Sequence, residues 1–277
     1  MWSSSHAGGS LVDVAGLSVG HAHRIGEGWL TGTTVVLAPP GGFVAAVDVR
    51  GGCPATRETD ALDPGGLVPR IEAIVLTGGS AYGLDAASGV IRWLEERHRG
   101  FPVGPAPHEV VPVVPAAAIF DLGRGGDFAA RPDASLGYAA AQAASSGSVP
   151  MGSVGAGAGA VAGGLRGGVG TASTTLPDGV VIAALVVVNA AGSTLAEDTG
   201  ALLGAGSGLP GEFPAAPTPA EHAAAREVLA AQAGAGAPLR PPPLNPTIGV
   251  VATTAALSRV EAQRPAMTAH DGLARSI

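Results

Sequence analysis

Strand and helix patterns alternate along this chain without a strict βαβ period, which predicts α/β layers around a mixed sheet. Hydrophobic residues make up 46% of the 277 residues, enough for a sizeable core, and aromatics only 4%. The 44 glycines point to tight turns and close backbone packing, since glycine alone accepts positive φ freely. No internal repeat or compositional break divides the sequence, so residues 1–277 read as one domain.

The elements follow in order. Leu11 to Val19 and Thr33 to Ala38 have strand patterns, the second stopped by Pro39-Pro40-Gly41-Gly42. Phe43 to Val49 reads as the next strand, and residues 54–70 as a polar, turn-rich stretch. Ile71 to Thr77 is a buried strand that Gly78-Gly79-Ser80 turns into a helix from Ala81 to Arg97, with apolar positions at Leu84, Ala87, Ile91 and Leu94. Val111 to Ile119 carries Pro112 and Pro115 and reads as a short, edge-like strand. Leu136 to Ala144 is a short alanine-rich helix. In Gly152 to Gly170, glycine alternates with Ala and Val, which points to packed strands of little side-chain volume. Val180 to Val188 is the strongest strand pattern, Ala220 to Ala233 a surface helix, and Gly234 to Pro243 an exposed linker. Ile248 to Thr253 is a strand, and Ala256 to Ile277 a helix with Pro265 inside it, where proline costs about 3 kcal/mol.

Composition excludes several functions. The net charge is −7 and no basic tract is present, which argues against a nucleic-acid partner. All 15 basic residues are arginine, and without lysine there is no P-loop, Schiff-base or Ser–Lys chemistry. Cys53 is the single cysteine, so no internal disulfide forms and a reducing, cytoplasmic setting is expected. The stretch MWSSSHAGGS lacks a signal-peptide pattern, and no run of 18 apolar residues predicts a membrane span.

Most short motifs have ordinary readings. Gly206 to Gly211 matches GxGxxG but follows no strand and opens no helix. Ser80 resembles a nucleophile elbow, but Tyr82 occupies the second glycine place, so Ser80 reads as a helix N-cap. His21 and His23 share a strand face with no third metal ligand in view, and read as surface histidines. Asn189 ends the strongest strand, where its amide either closes an Asx-turn or polarises a substrate carbonyl. Tyr138 and Arg166 are unremarkable taken alone.

The chain centres on Leu244 to Thr254, LNPTIGVVATT, where an exposed linker runs into a buried strand. A self-cleaving hydrolase would cut there, because a Thr or Ser at the new terminus carries a nucleophilic hydroxyl and a basic α-amine together. The residue after Asn245 is Pro246, which has no hydroxyl, and Thr247 comes one place later.

The stretches VGHAH, TGTTVVLAPPGG, IVLTGGSAYGLDAASGVIRWLEE, VVVNAAG, NPTIGVVATTAAL and AHDGLARSI, with others between them, resemble the L-aminopeptidase/D-esterase family, which includes β-aminopeptidases and nylon-oligomer hydrolases. The resemblance covers nearly the whole chain in order. It implies an α/β/β/α sandwich of the N-terminal-nucleophile type, autoproteolysis into a large and a small chain, a homo-oligomer, no cofactor or metal, and small peptide or amide substrates. The large chain would be residues 1–245 and the small chain 246–277. The resemblance further puts Asn189 on an oxyanion asparagine, Tyr138 beside the reacting carbonyl, Arg166 at a position where some members carry lysine, and Asn245 before the cut. Two departures follow from it. Pro246 stands where the family has Ser or Thr, and the family continues beyond the segment ending at Ile277. Thr247 is then the candidate nucleophile, although a one-residue step along a strand turns its side chain away from Asn189. An uncut, inactive relative or a truncated product is the alternative expectation.

Overall fold

A computed structural model describes residues 9–234 and 244–277. The strands are β1 (Ser18–Gly26), β2 (Trp29–Leu37), β3 (Thr56–Arg57), β4 (Ala73–Thr77), β5 (Phe101–Pro102), β6 (Val110–Val111), β7 (Ala116–Ala118), β8 (Val161–Ala162), β9 (Leu165–Arg166), β10 (Gly168–Thr175), β11 (Val181–Val188) and β12 (Ile248–Thr253). The helices are α1 (Ser80–Gly83), α2 (Ala86–Glu95), α3 (Ala134–Gln142), α4 (Pro219–Gly234) and α5 (Arg259–Leu273).

Two sheets form the centre. The first has the order β1-β2-β4-β7-β3 and is mixed, since β4 and β7 are parallel and the other pairs antiparallel. The second is antiparallel, in the order β10-β11-β12. Val36, Leu76 and Ile119 of one layer meet Leu185, Val187 and Val250 of the other in the main core. A second core lies on the opposite face of the first sheet, where Val35, Ala73 and Val75 pack against Ala86, Val90 and Leu94 of α2 and Ala140 of α3. Beyond the second sheet, α5 packs against β12. The α/β/β/α layering and the mixed sheet are therefore as expected.

Helices α2 and α3 approach unusually closely because each offers a glycine to the other. A Cβ on Gly89 would run into the Ala134 carbonyl oxygen, and one on Gly137 into that of Ala86. The alternating burial of β11, with Ala183, Leu185 and Val187 inward, is what its sequence predicts.

Several boundaries differ from expectation. Leu11 to Asp13 is a single 3-10 turn, not strand: the Asp13 carboxylate accepts the Ser10 N–H at 2.7 Å and the Ser173 hydroxyl at 2.6 Å, and Gly16 turns the chain at φ 89. Strand β1 runs on to Gly26 and folds into β2 through Glu27-Gly28, both at positive φ (51 and 87), as a two-residue hairpin requires. Of Phe43 to Val49, only Phe43 is bridged, to Ile71; Phe43, Ala45 and Val47 pack against a small apolar cluster but find no strand to pair with. The helix expected at Ala81–Arg97 is interrupted at Leu84-Asp85, where Asp85 Oδ2 accepts the N–H of Ala134 at 3.2 Å. Val111 to Ile119 splits at its prolines, and β7 lies between β4 and β3 instead of at an edge. Gly152 to Gly167 is mostly turn, with only the β8–β9 hairpin inside it; the long strand starts at Gly168. Helix α4 lies on the surface as expected, and α5 is shorter than expected, opened by a capping box from Ser258 and Glu261. The linker expected at Gly234–Pro243 falls almost wholly outside the described residues.

Candidate active site

The end of β11 and the segment entering β12 are held together by asparagine side chains. Asn189 follows the last residue of β11 and is fully buried, at 0% exposure. Its Oδ1 accepts from Arg124 Nη1 at 2.7 Å and from the Val161 N–H at 3.1 Å. Both partners can only donate, which fixes the amide orientation: the oxygen faces them, and Nδ2 faces the other way. There Nδ2 donates to the main-chain carbonyl of Pro246 at 3.2 Å. Asn245 is anchored beside it, with Nδ2 donating to the carbonyls of Val161 (3.2 Å) and Ala190 (3.0 Å). The Thr247 hydroxyl donates to the main-chain carbonyl of Asn189 at 3.0 Å.

Thr247 therefore does not point away from Asn189, contrary to the alternation argument. Residues 244–247 precede β12, whose first paired residue is Ile248 opposite Val187, so the two-residue repeat of a strand does not govern them.

Arg124 is the functional candidate that the sequence reading missed. It lies in the glycine-rich loop Leu122-Gly123-Arg124-Gly125-Gly126 after β7, and its Nη1 also donates to the Gly159 carbonyl at 2.6 Å. A lone cation bracketed by glycines just beyond a buried strand was the available signal. Nearby, Asp121 is 3% exposed, and its Oδ1 accepts the Gly79 N–H at 2.6 Å. Burial raises its pKa, partly offset by the Gly79 N–H, Thr31 and the Arg124 charge.

The structure brings Asn189, Asn245, Pro246 and Thr247 into one network, and Tyr138 is engaged elsewhere. Tyr138 sits on α3, where its hydroxyl donates to Glu96 Oε2 at 2.7 Å and its ring lies 5.0 Å from the Arg92 guanidinium carbon. Arg166 is exposed on β9, with its backbone opposite Val161. Ser80 is not an N-cap: that position is Gly79, and Ser80 is the first helical residue, at φ 53. The GxGxxG stretch begins in the last two residues of a 3-10 turn, Leu203–Ser207, and continues as loop.

His21 and His23 share a face, as expected, and both reach the turn at Gly155, but His21 is more than a surface residue. Its Nδ1 lies 2.9 Å from Thr34 Oγ1, and His23 Nδ1 accepts the Gly155 N–H at 3.3 Å. Both line a shallow cleft of about 390 Å³ with Arg24 and Ser135, and none of its lining residues belongs to the Asn189 network. Burial, and then the neighbouring His23, lowers the pKa of His21 to about 4, against a smaller opposing effect of the Pro150 carbonyl. A folded pKa below the unfolded one means that the fold favours neutral His21. The stabilisation is complete above pH ~6.5 and is lost as pH falls from there through about 4. Melting temperatures of the wild type and His21→Gln between pH 7 and 4 should therefore converge toward the acid end, and parallel curves would refute this.

The fold and the sequence match known proteins. The fold superposes on the L-aminopeptidase D-Ala-esterase/amidase of Ochrobactrum anthropi with a TM-score of 0.68 at 21% identity, covering 99% of this chain and 71% of that one. It superposes on a Burkholderia sp. β-aminopeptidase with a TM-score of 0.65 at 22% identity, covering 100% and 71%. The chain thus shares the fold of the Ochrobactrum anthropi aminopeptidase, which is described as a variant among the Ntn hydrolase fold. An uncharacterized aminopeptidase of Mycobacterium tuberculosis is 51% identical over 274 residues, 97% of this chain and 76% of the relative. A 6-aminohexanoate-oligomer endohydrolase of Paenarthrobacter ureafaciens is 33% identical over 280 residues, 96% and 69% respectively. Residues 9–277 match the model of Peptidase family S58, and the chain belongs to that family of hydrolases. Among the described residues no helix is long and apolar enough to cross a membrane.

Proposed function

We propose that this chain is a self-processing amide hydrolase that releases N-terminal residues from small peptides, amides or esters. One observation carries the reading: a fully buried asparagine amide, oriented by two donors, gives its N–H to a main-chain carbonyl just upstream of β12. A preorganised donor of this kind stabilises the oxyanion of acyl transfer, and the same N–H serves an internal peptide first and a substrate carbonyl afterwards. The nucleophile comes from the 245–247 segment once processing frees its amine. Asn189 is the oxyanion donor in this reading. Tyr138 and Arg166 are left out of it, because Tyr138 is bonded to Glu96 and Arg166 is exposed. A homo-oligomer in the cytoplasm, acting without a cofactor, completes the reading.

The second reading, an inactive and uncut relative, is favoured by Pro246, which lacks a hydroxyl at the expected terminus. A panel of aminoacyl p-nitroanilides and aminoacyl esters separates the two. Turnover of N-terminally free substrates, with N-acylated ones refused, is the expected outcome. No turnover of any member by folded protein would sink the hydrolase reading.

A further inference from the structure

We infer that the bond this chain cuts in itself is Pro246–Thr247, one residue beyond the position its sequence suggests, which makes Thr247 the N-terminal nucleophile. The inference deepens the hydrolase reading and rests on it.

The geometry favours this bond. The carbonyl that Asn189 Nδ2 reaches, at 3.2 Å, belongs to Pro246, so the amide is aimed at the Pro246–Thr247 peptide. Behind it, the Arg124 guanidinium holds Asn189 Oδ1 at 2.7 Å, so a cation backs the donor that would meet a developing oxyanion. Asn245 pins the chain immediately upstream through Val161 and Ala190, and β12 pins it immediately downstream from Ile248. The two residues between these anchors are the ones that must rearrange. The Thr247 hydroxyl is already turned to the Asn189 side, bonded to its main-chain carbonyl.

The chemistry agrees. Cutting Asn245–Pro246 would leave a terminal proline with a secondary amine and no hydroxyl. At Pro246–Thr247, Thr247 Oγ1 adds to the Pro246 carbonyl carbon, and Asn189 Nδ2 stabilises the oxygen. The C–N bond then breaks, the hydroxyl proton passes to the Thr247 nitrogen through solvent, and an ester joins Pro246 to Thr247 Oγ1. One water hydrolyses that ester, giving the Pro246 carboxylate, the free Thr247 hydroxyl and its α-amine. No other reactant is consumed.

The test is intact-mass analysis with N-terminal sequencing of the purified chain, of Thr247→Ser and of Thr247→Ala, all held at neutral pH. A small chain beginning Thr247-Ile248-Gly249 is expected from the wild type, and Thr247→Ser, which keeps a hydroxyl there, should be cut at the same bond. Thr247→Ala should slow the cut by roughly 10²-fold or more, as removal of a nucleophile does. A fragment beginning at Pro246, a cut unaffected by Thr247→Ala, or a wild type that stays whole overturns the inference. Running the aminoacyl panel on the same samples separates the two readings. Turnover by an uncut chain leaves the hydrolase reading standing without this bond, and a cut chain without turnover leaves the bond standing without the hydrolase.

Discussion

Asn189→Asp is expected to abolish most hydrolysis while leaving the protein folded, the guanidinium pairing with the new carboxylate offsetting the repulsion between its second oxygen and the Pro246 carbonyl. Aspartate keeps acceptors for Arg124 Nη1 and the Val161 N–H, and adds a charge opposite the guanidinium. What it loses is the single N–H given to the Pro246 carbonyl. Loss of one preorganised oxyanion donor costs about 10²–10³ in rate. The fall should be in kcat, with KM little changed, because the donor acts on charge that develops in the transition state. Asn189→Ala should be equally slow but less stable, by about 1 kcal/mol, since it orphans the half-buried Val161 N–H. Arg124→Met removes the clamp and leaves the donor, so a smaller loss of about tenfold is expected. Kinetics at matched melting temperatures decide it: an Asn189→Asp protein with wild-type kcat would remove Asn189 from the chemistry.

The Asn189 network also shows what the sequence could reveal. Asn189 was visible because a polar residue ending an apolar strand has few reasons to be there, and Asn245 and Thr247 because a linker meets a strand beside them. Arg124 was not, since a single arginine in a glycine loop carries no periodicity and its Gly159, Asn189 and Asn245 partners lie 35, 65 and 121 residues away along the chain. Phe43–Val49 was over-read for a related reason: alternation reports which side chains are half-buried, not whether the backbone finds a strand to pair with. The β1–β2 hairpin is marked only by Gly26-Glu27-Gly28, because the strand end before it, His21-Ala22-His23-Arg24, is polar and forms no apolar run. The layers themselves were legible, since the 46% apolar content and the strand patterns at Ile71–Thr77 and Val180–Val188 already specify buried sheets.

The second large effect lies far from the chemistry. Gly137→Val should lower stability by about 3 kcal/mol or more, and the melting temperature by on the order of 10 °C. The new Cβ meets the Ala86 carbonyl oxygen, with the Ala86 carbonyl carbon at 2.6 Å and Cα at 3.0 Å behind it. These are backbone atoms of a helix, so no rotamer change gives relief, and α2 and α3 must separate. Separation opens the core that Val90, Leu94 and Ala140 share. Gly170→Ala on β10 is the control, because nothing lies within 4 Å of its Cβ position, and it should stay within about 0.5 kcal/mol of wild type. Equal melting curves for the two variants would contradict the close approach of the helices.

Among the described residues, strand β12 pairs only with β11, and it leads into α5, which has no buried residue. While the chain is continuous, that segment is tethered and its docking is a unimolecular event. Once Pro246–Thr247 is severed, the segment from Thr247 onward is held without a covalent link, by its ladder to β11, by Arg259 donating to the Asp63 and Gly66 carbonyls, by His270 beside Asp48 and by Arg50 on the Met267 carbonyl, and its retention obeys mass action. The processed protein would then behave as a complex of two chains. Its apparent melting temperature would rise with total concentration, and extended dilution would release the segment that carries the nucleophile.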